Sequence, residues 1–307
     1  MNLFVQGMRR SGTTILYDAI QADPQLNCFY EPLREEDVTE GGGSGAREGD
    51  AFAETRALRT EFRDQRYPDI PIEEFNWGGP RKPPLELDAE LPPHCRDLLA
   101  SLLERSPAAI KETRLWSKVP VLAQLDPDAV LVHVVRDPRA VAASIVLGRG
   151  QRRLEKLPTA DDFFDDRAKR KLWSSRALSR GLMRAEGRRA RDLSNPERVL
   201  VVWRATFERT RRDGLAHFGD RYVLVRNEDL RADPAAAIGA VYAALGREVP
   251  AEVAAWADAN VKPPSEPHEA GDPRWLEAIE IAGAKEATEE AGYGAILAGG
   301  TANLRSE

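Results

Sequence analysis

The chain opens with a strand, a glycine-bounded loop and a helix in immediate succession. Leu3-Phe4-Val5 is a short apolar strand and Gly7 to Gly12 is the loop. Ile15, Leu16, Ala19 and Ile20 then follow helical spacing from Thr13 until Asp23-Pro24 ends the run. A strand that turns straight into a helix sets the helix's unpaired N–H groups, at its positive end, along one edge of a sheet. Such an edge is a ready site for an anion. The opening therefore predicts an α/β fold in which a parallel sheet carries its ligands beyond the C-terminal ends of its strands.

The rest of the chain fits that frame. Residues 26–31 read as extended. A helix near 95–105 precedes a strand at Ala108-Ala109-Ile110, and a further helix spans roughly 117–125. Ala129 to Val135 is a near-continuous apolar run, the pattern of a strand covered on both faces. His133 inside it reads as a packed core histidine rather than a ligand. Asn195-Pro196-Glu197 has the chemistry of a helix start, with Asn as N-cap and Pro at the first position. Val199 to Trp203 has strand propensity, but the start signal and the polar residues beyond Ala205 favour a helix. Arg221 to Val225 reads as a strand and 234–245 as an Ala-rich helix; the remainder is helical and acidic, broken by Pro263-Pro264 and Pro267. Alternating strands and helices predict a central parallel sheet flanked by helices, built as one domain over 1–307.

Two segments stand apart. Residues 35–93 hold the Gly41 to Gly45 run, a helix-like stretch near 51–64, and a Pro/Gly/aromatic stretch through Tyr67, Trp77 and Pro84. They read either as a surface insertion or as a lid or acceptor-binding loop. Residues 167–191 carry ten Lys/Arg against one Glu, and Arg176, Arg180, Arg184 and Arg188 repeat every four positions, a basic ridge on a helix. The simple reading is a solvated face; the other is a docking surface for an acidic acceptor.

The formal charge of −6 argues against a protein that coats nucleic acid. No apolar run reaches the roughly 18–20 residues of a membrane helix, and Met1-Asn2 leads into the first strand without the pattern of a signal peptide. Cys28 and Cys95 are too few for a disulfide framework or a four-thiolate zinc site, and the four histidines lack ligand spacing, so no metal site is expected. Reduced thiols fit a cytoplasmic protein.

In the loop, Gly7 and Gly12 have the spacing of a nucleotide P-loop, but Thr13 stands where its lysine would be and the cation lies upstream at Arg10. Gly7-Met8-Arg9-Arg10-Ser11-Gly12-Thr13-Thr14 resembles the 5′-phosphosulfate loop of the sulfotransferases that use 3′-phosphoadenosine-5′-phosphosulfate (PAPS). A second family motif, an Arg after the central strand and a Ser eight residues on, is matched by Arg136 and Ser144. Trp203 to Arg212 is similar to the family's Trp-containing helix, Tyr222 to Leu230 to its strand with an E-D-L turn, and Trp275 to Tyr293 to the C-terminal helix of bacterial members. The resemblance implies PAPS as sulfuryl donor and 3′-phosphoadenosine-5′-phosphate (PAP) as product, with no metal. It places Arg9, Arg10, Ser11, Gly12, Thr13 and Thr14 at the 5′ end of the nucleotide, and Arg136 and Ser144 at the 3′-phosphate.

The resemblance also bears on the chemistry. The small-molecule branch uses a His before the 3′-phosphate strand, and none occurs between 95 and 132. Glu31, in Glu31-Pro32-Leu33, follows Arg10 at the spacing of the catalytic Glu of the protein-tyrosine branch and sits in a segment similar to the carbohydrate 6-O-sulfotransferases. It is the candidate base, the alternative being a loop carboxylate or an ion-pair partner of Arg34 or Arg10. Lys111 matches a family Lys that stabilises transition-state charge; otherwise it is a surface lysine at a strand end. Arg10 is the third catalytic candidate, and Arg114 is a candidate acceptor contact. The expected reaction is in-line transfer of a sulfuryl group from PAPS to a hydroxyl of a small-molecule, carbohydrate or natural-product acceptor. A peptide-tyrosine acceptor, a P-loop kinase-like phosphotransferase using Asp137 for magnesium, and a non-catalytic nucleotide-binding protein are the alternatives.

Overall fold

The computed structural model describes residues 1–33, 50–71, 83–148, 151–170 and 172–298. Parts of the insertion, among them the Gly41 to Gly45 run and Trp77, lie outside the described residues, as do Arg34 and Lys171.

Five parallel strands form one sheet. They are β1 (Leu3–Gln6), β2 (Asn27–Tyr30), β3 (Ala108–Glu112), β4 (Val130–Val135) and β5 (Tyr222–Arg226), in the spatial order β2-β3-β1-β4-β5. β1 lies at the centre, with Val5 opposite Lys111 on one side and Val132 on the other. All strands point the same way. The strand ends Tyr30, Glu112, Gln6, Val135 and Arg226 therefore lie along one edge of the sheet, with Lys111 one residue before its strand's end, and the loop after each strand starts from that edge.

Strand alternation feeds two cores. Leu3, Val5, Val130, Val132 and Val134 face the helices α1 (Thr13–Gln21) and, near the end of the chain, Pro234–Ala244 and Ala251–Asn260. Phe4, Ile110 and Leu131 pack on the other face against the helices Pro93–Leu103 and Val119–Leu125. His133 lies on that second face, almost fully buried, with Nδ1 2.8 Å from the Tyr222 hydroxyl and its ring 5.8 Å from Phe207. Burial pushes its pKa down to about 3, as suits a neutral core residue.

The long helix Asn195–Phe218 buries its Val199 to Trp203 run. Its N-cap is Ser194, one residue before the position that the sequence suggests: Ser194 and Glu197 form a capping box, while Asn195 donates to Asp166 at 2.9 Å. The basic ridge is also shorter than its spacing implies. Its helix ends at Ala185, so Arg188 lies beyond it, past Gly187 at φ 69°. Within the insertion, Asp50–Arg66 and Pro83–Leu87 are helices, and Leu58, Leu85 and Leu91 join the second core, so this part is packed structure. Among the described residues no helix is long and apolar enough to cross a membrane.

Candidate active site

Backbone sterics shape the loop after β1. A Cβ on Gly7 would overlap the Val134 carbonyl oxygen, so the chain passes over β4 only as glycine. Gly12, the N-cap of α1, has φ 93°, and a side chain there would strike the Asn227 amide. Arg10 also takes a left-handed conformation, at φ 74°. Left-handed turns at 10 and 12, just before the open N–H groups of α1, form the type of concavity that binds oxyanions. Ser11 and Thr13 are buried in it. Thr14 places its hydroxyl 3.3 Å from that of Tyr30.

The two arginines of the loop diverge. Arg10 Nε donates to Ser144 Oγ at 2.8 Å. Arg9 turns the other way and pairs with the buried carboxylate of Glu86 at 3.1 Å. Glu86 also accepts from Trp116 Nε1, and its segment is fastened by Ser117 Oγ and by the fully buried Lys118, which donates to the carbonyls of Leu85 and Asp88. The Arg9 side chain thus ties the loop to the insertion, and only its backbone is left to line the anion concavity.

Arg136 follows β4, and its surroundings join the scattered motifs. Its Nη1 donates to the Arg10 carbonyl at 3.2 Å, and its own carbonyl accepts from Trp203 Nε1 at 3.1 Å. The next residue, Asp137, gives its N–H to Glu228 at 3.1 Å, and Glu228 is held in turn by the Tyr293 hydroxyl. Burial raises the Glu228 pKa, against the lowering effect of these two bonds. Both Asp137 oxygens are taken by Arg139, in a buried ion pair at 2.9 Å, and Asp137 also caps the helix Pro138–Leu147 that carries Ser144. That engagement counts against Asp137 as a magnesium ligand.

Arg231, which sequence reasoning missed, completes this side. Burial and the charge of Arg136 both lower its pKa, and its Nε donates to Asn227 Oδ1 at 3.1 Å. The Asn227 Nδ2, against Gly12, is buried without a hydrogen-bond partner among the described residues.

At the other end of the edge, Glu31 leaves β2 at φ 44° and directs its carboxylate to Lys111 Nζ, with Thr113 Oγ1 at 3.5 Å. Lys111 is not a surface lysine. It is buried, its ammonium 4.2 Å from the centroid of the Tyr30 ring. Burial works against that ammonium, but Glu31 and Tyr30 outweigh it and hold the pKa above the usual lysine value. The cation thus stands directly beside the Glu31 carboxylate.

Behind it, Glu112 accepts the Leu33 N–H at 2.9 Å, and burial together with Glu31 pushes its pKa up to about 7. Arg114, pushed down to about 10 by burial and by Arg9, keeps Nη1 buried and unpaired among the described residues. Nothing in the sequence singled out Glu112 except its place beside Lys111. Glu86, 77 positions from Arg9, gave no signal at all.

A model of the sulfotransferase family matches residues 2–174, more than half of the chain. The chain belongs to the sulfotransferase family. Solved structures similar to it include the sulfotransferase STF9 from Mycobacterium avium, 17% identical over 94% of this chain and 76% of that one, with a TM-score of 0.48. A sulfotransferase from Alicyclobacillus acidocaldarius is 16% identical over 99% and 98% of the two chains, with a TM-score of 0.46. The sulfotransferase domain of the Synechococcus PCC 7002 olefin synthase is 17% identical over 92% and 93%, with a TM-score of 0.43. No curated protein matches the chain. In this sulfotransferase the loop arginine, the strand-end arginine and the Glu–Lys pair all stand on the C-terminal edge of one parallel sheet.

Proposed function

We propose that the enzyme transfers the sulfuryl group of PAPS to a hydroxyl of a small-molecule, carbohydrate or natural-product acceptor, releasing PAP, within one cytoplasmic domain. The observation that carries this reading is the junction of Arg10, Ser144 and Arg136, where the loop's cation meets the Arg and Ser of the second motif. The two motifs, far apart in sequence, meet at Arg10, which bonds to both Ser144 and Arg136. The site suits a nucleotide with phosphates at both ends of its ribose. It has an oxyanion concavity that only glycine backbone permits, three arginines, and the orphaned Asn227 amide facing that turn.

PAPS, when bound, supplies the sulfuryl group and a phosphate leaving group. The chain's own residues do the rest. Arg10 and the N–H groups of 12–14 bind and orient the 5′ end. Arg136 and Ser144 hold the 3′-phosphate, with Arg231 adding charge. Glu31 accepts the acceptor hydroxyl's proton, and its pairing with Lys111 holds the carboxylate in place for that task. Lys111 is oriented by the same pair and faces charge that develops on the transferring oxygens. Arg114 is a contact for the acceptor.

Calorimetric titration with PAP and, separately, with ATP–Mg²⁺ tests the donor. Tight PAP binding that is lost in Arg136→Ala is expected; tight ATP–Mg²⁺ binding without PAP binding would replace this reading with a kinase. An acceptor screen with PAPS, read as the mass gain of one SO₃, tests transfer.

A further inference from the structure

The arginines of the basic ridge do not simply face solvent. The helix Ser175–Ala185 contributes Arg176, Arg180 and Arg184, the segment 188–191 contributes three more, and Arg198 enters from the next helix. Together they line a hollow of about 430 Å³. Few acids offset them: Glu186 is shared between the lining Arg188 and Arg204, Asp192 pairs with the lining Arg191, and Glu197 caps its own helix. Arg180, Arg184 and Arg189 have no ion-pair or hydrogen-bond partner among the described residues.

Arg198 is the sharper observation. It is 3% exposed, it donates from Nη2 to the Ala190 carbonyl, and its Nε is buried with no hydrogen-bond partner among the described residues. Burial and the neighbouring Arg176 and Arg180 all press its pKa down. A buried guanidinium among like charges opposes folding unless something neutralises it.

We infer that this hollow is a second anion site, distinct from the sulfuryl-transfer site, built for a compact ligand carrying two or more phosphate or sulfate groups. The guanidiniums converge from three chain segments on a volume within the range of small-ligand pockets rather than forming a flat strip, which favours a compact occupant over a polymer or a protein face. Arginine forks each take two oxygens of a tetrahedral oxyanion, and an anion in the hollow would offset the charge of the buried Arg198. Neither Arg10, Arg136 nor Ser144 lines the hollow. Arg198 does precede Trp203, the clamp on Arg136, by five residues on one helix, about 7.5 Å of rise. The two sites have separate residues.

The test is calorimetric titration of the full chain with sodium tripolyphosphate, in the wild type, in the exposed pair Arg180→Glu/Arg184→Glu, and in Arg136→Ala. Binding that survives Arg136→Ala and falls at least tenfold in the charge-reversed pair is expected, with PAP affinity unchanged in that pair. A rise in melting temperature with tripolyphosphate should follow the same pattern across the three proteins. Binding lost in Arg136→Ala but kept in the charge-reversed pair would assign the probe to the nucleotide site and overturn the inference, as would no binding at all. A polyglutamate peptide that binds more tightly than tripolyphosphate, and is lost in the charge-reversed pair, would overturn it in favour of an acidic protein partner.

Discussion

Arg10 Nε and Ser144 Oγ meet at 2.8 Å across 134 residues of sequence, joining the loop after β1 to the helix after β4. Two groups that share a bond and a ligand do not act additively. Arg10→Ala and Ser144→Ala are each expected to weaken PAP binding, Arg10→Ala by roughly tenfold to a hundredfold, the scale of one or two charge-assisted hydrogen bonds. The double variant should lose less than the product of the two. A double-mutant cycle measured by calorimetry checks this, and strict additivity would separate the two residues functionally.

The Glu31–Lys111 pair can be split into its structural and chemical parts. Glu31→Gln should lower kcat by about 10²–10⁴ while PAP affinity stays within about twofold, the signature of a lost base. Lys111→Met strands the Glu31 carboxylate and is expected to cost about 3–5 kcal/mol of stability. Adding Glu31→Gln to Lys111→Met should restore part of that stability in urea denaturation and none of the turnover. Recovery of turnover in the double variant would remove Glu31 as the base and Lys111 as a catalytic cation together.

Much of this edge was readable from the residues, because a parallel sheet converts sequence order into a row of strand ends. Once Leu3 to Val5, Ala108 to Ile110 and Ala129 to Val135 were strands, Gly7, Lys111 and Arg136 had to share one edge, whatever the loops did. What stayed hidden was side-chain direction. Arg9 and Arg10 are neighbours with the same chemistry, yet in a turn with Arg10 in the left-handed region one reaches Glu86 and the other Ser144. The Arg198 hollow was equally hidden. A four-residue repeat describes one helix face, whereas the cavity needs the turn at Gly187 to bring the arginines beyond it round to the same place.

Glu112 should make stability depend on pH. Its pKa rises from an ordinary 4.5 to about 7 on folding, so between those values the folded chain holds a proton that the unfolded chain has released. The contribution of this group is complete below about pH 4.5 and is lost as the pH climbs through 7, on the order of 3 kcal/mol in all. Glu112→Gln keeps an acceptor for the Leu33 N–H and removes the titration. Urea denaturation at pH 5 and pH 8 is expected to show a smaller drop in the variant than in the wild type. Equal drops would mean that Glu112 is already ionised at pH 5.

Trp203 and Trp275 offer a matched pair for the Arg136 clamp. Both indoles are buried and both donate Nε1 to a carbonyl, Trp203 to Arg136 and Trp275 to His268. Phenylalanine at either place removes the donor and keeps an aromatic ring; Trp203 would retain its stack on Phe207, now parallel within 6°. Each change leaves a carbonyl short of a partner and is expected to cost about 1–3 kcal/mol of stability. Only Trp203→Phe frees the backbone of Arg136, so only it should weaken PAP binding, by about threefold to tenfold, the value of one neutral hydrogen bond. Trp275→Phe should leave PAP affinity within about twofold despite a similar loss of stability. If both variants weaken PAP binding equally, the effect follows global stability, and the Trp203 bond does not position Arg136.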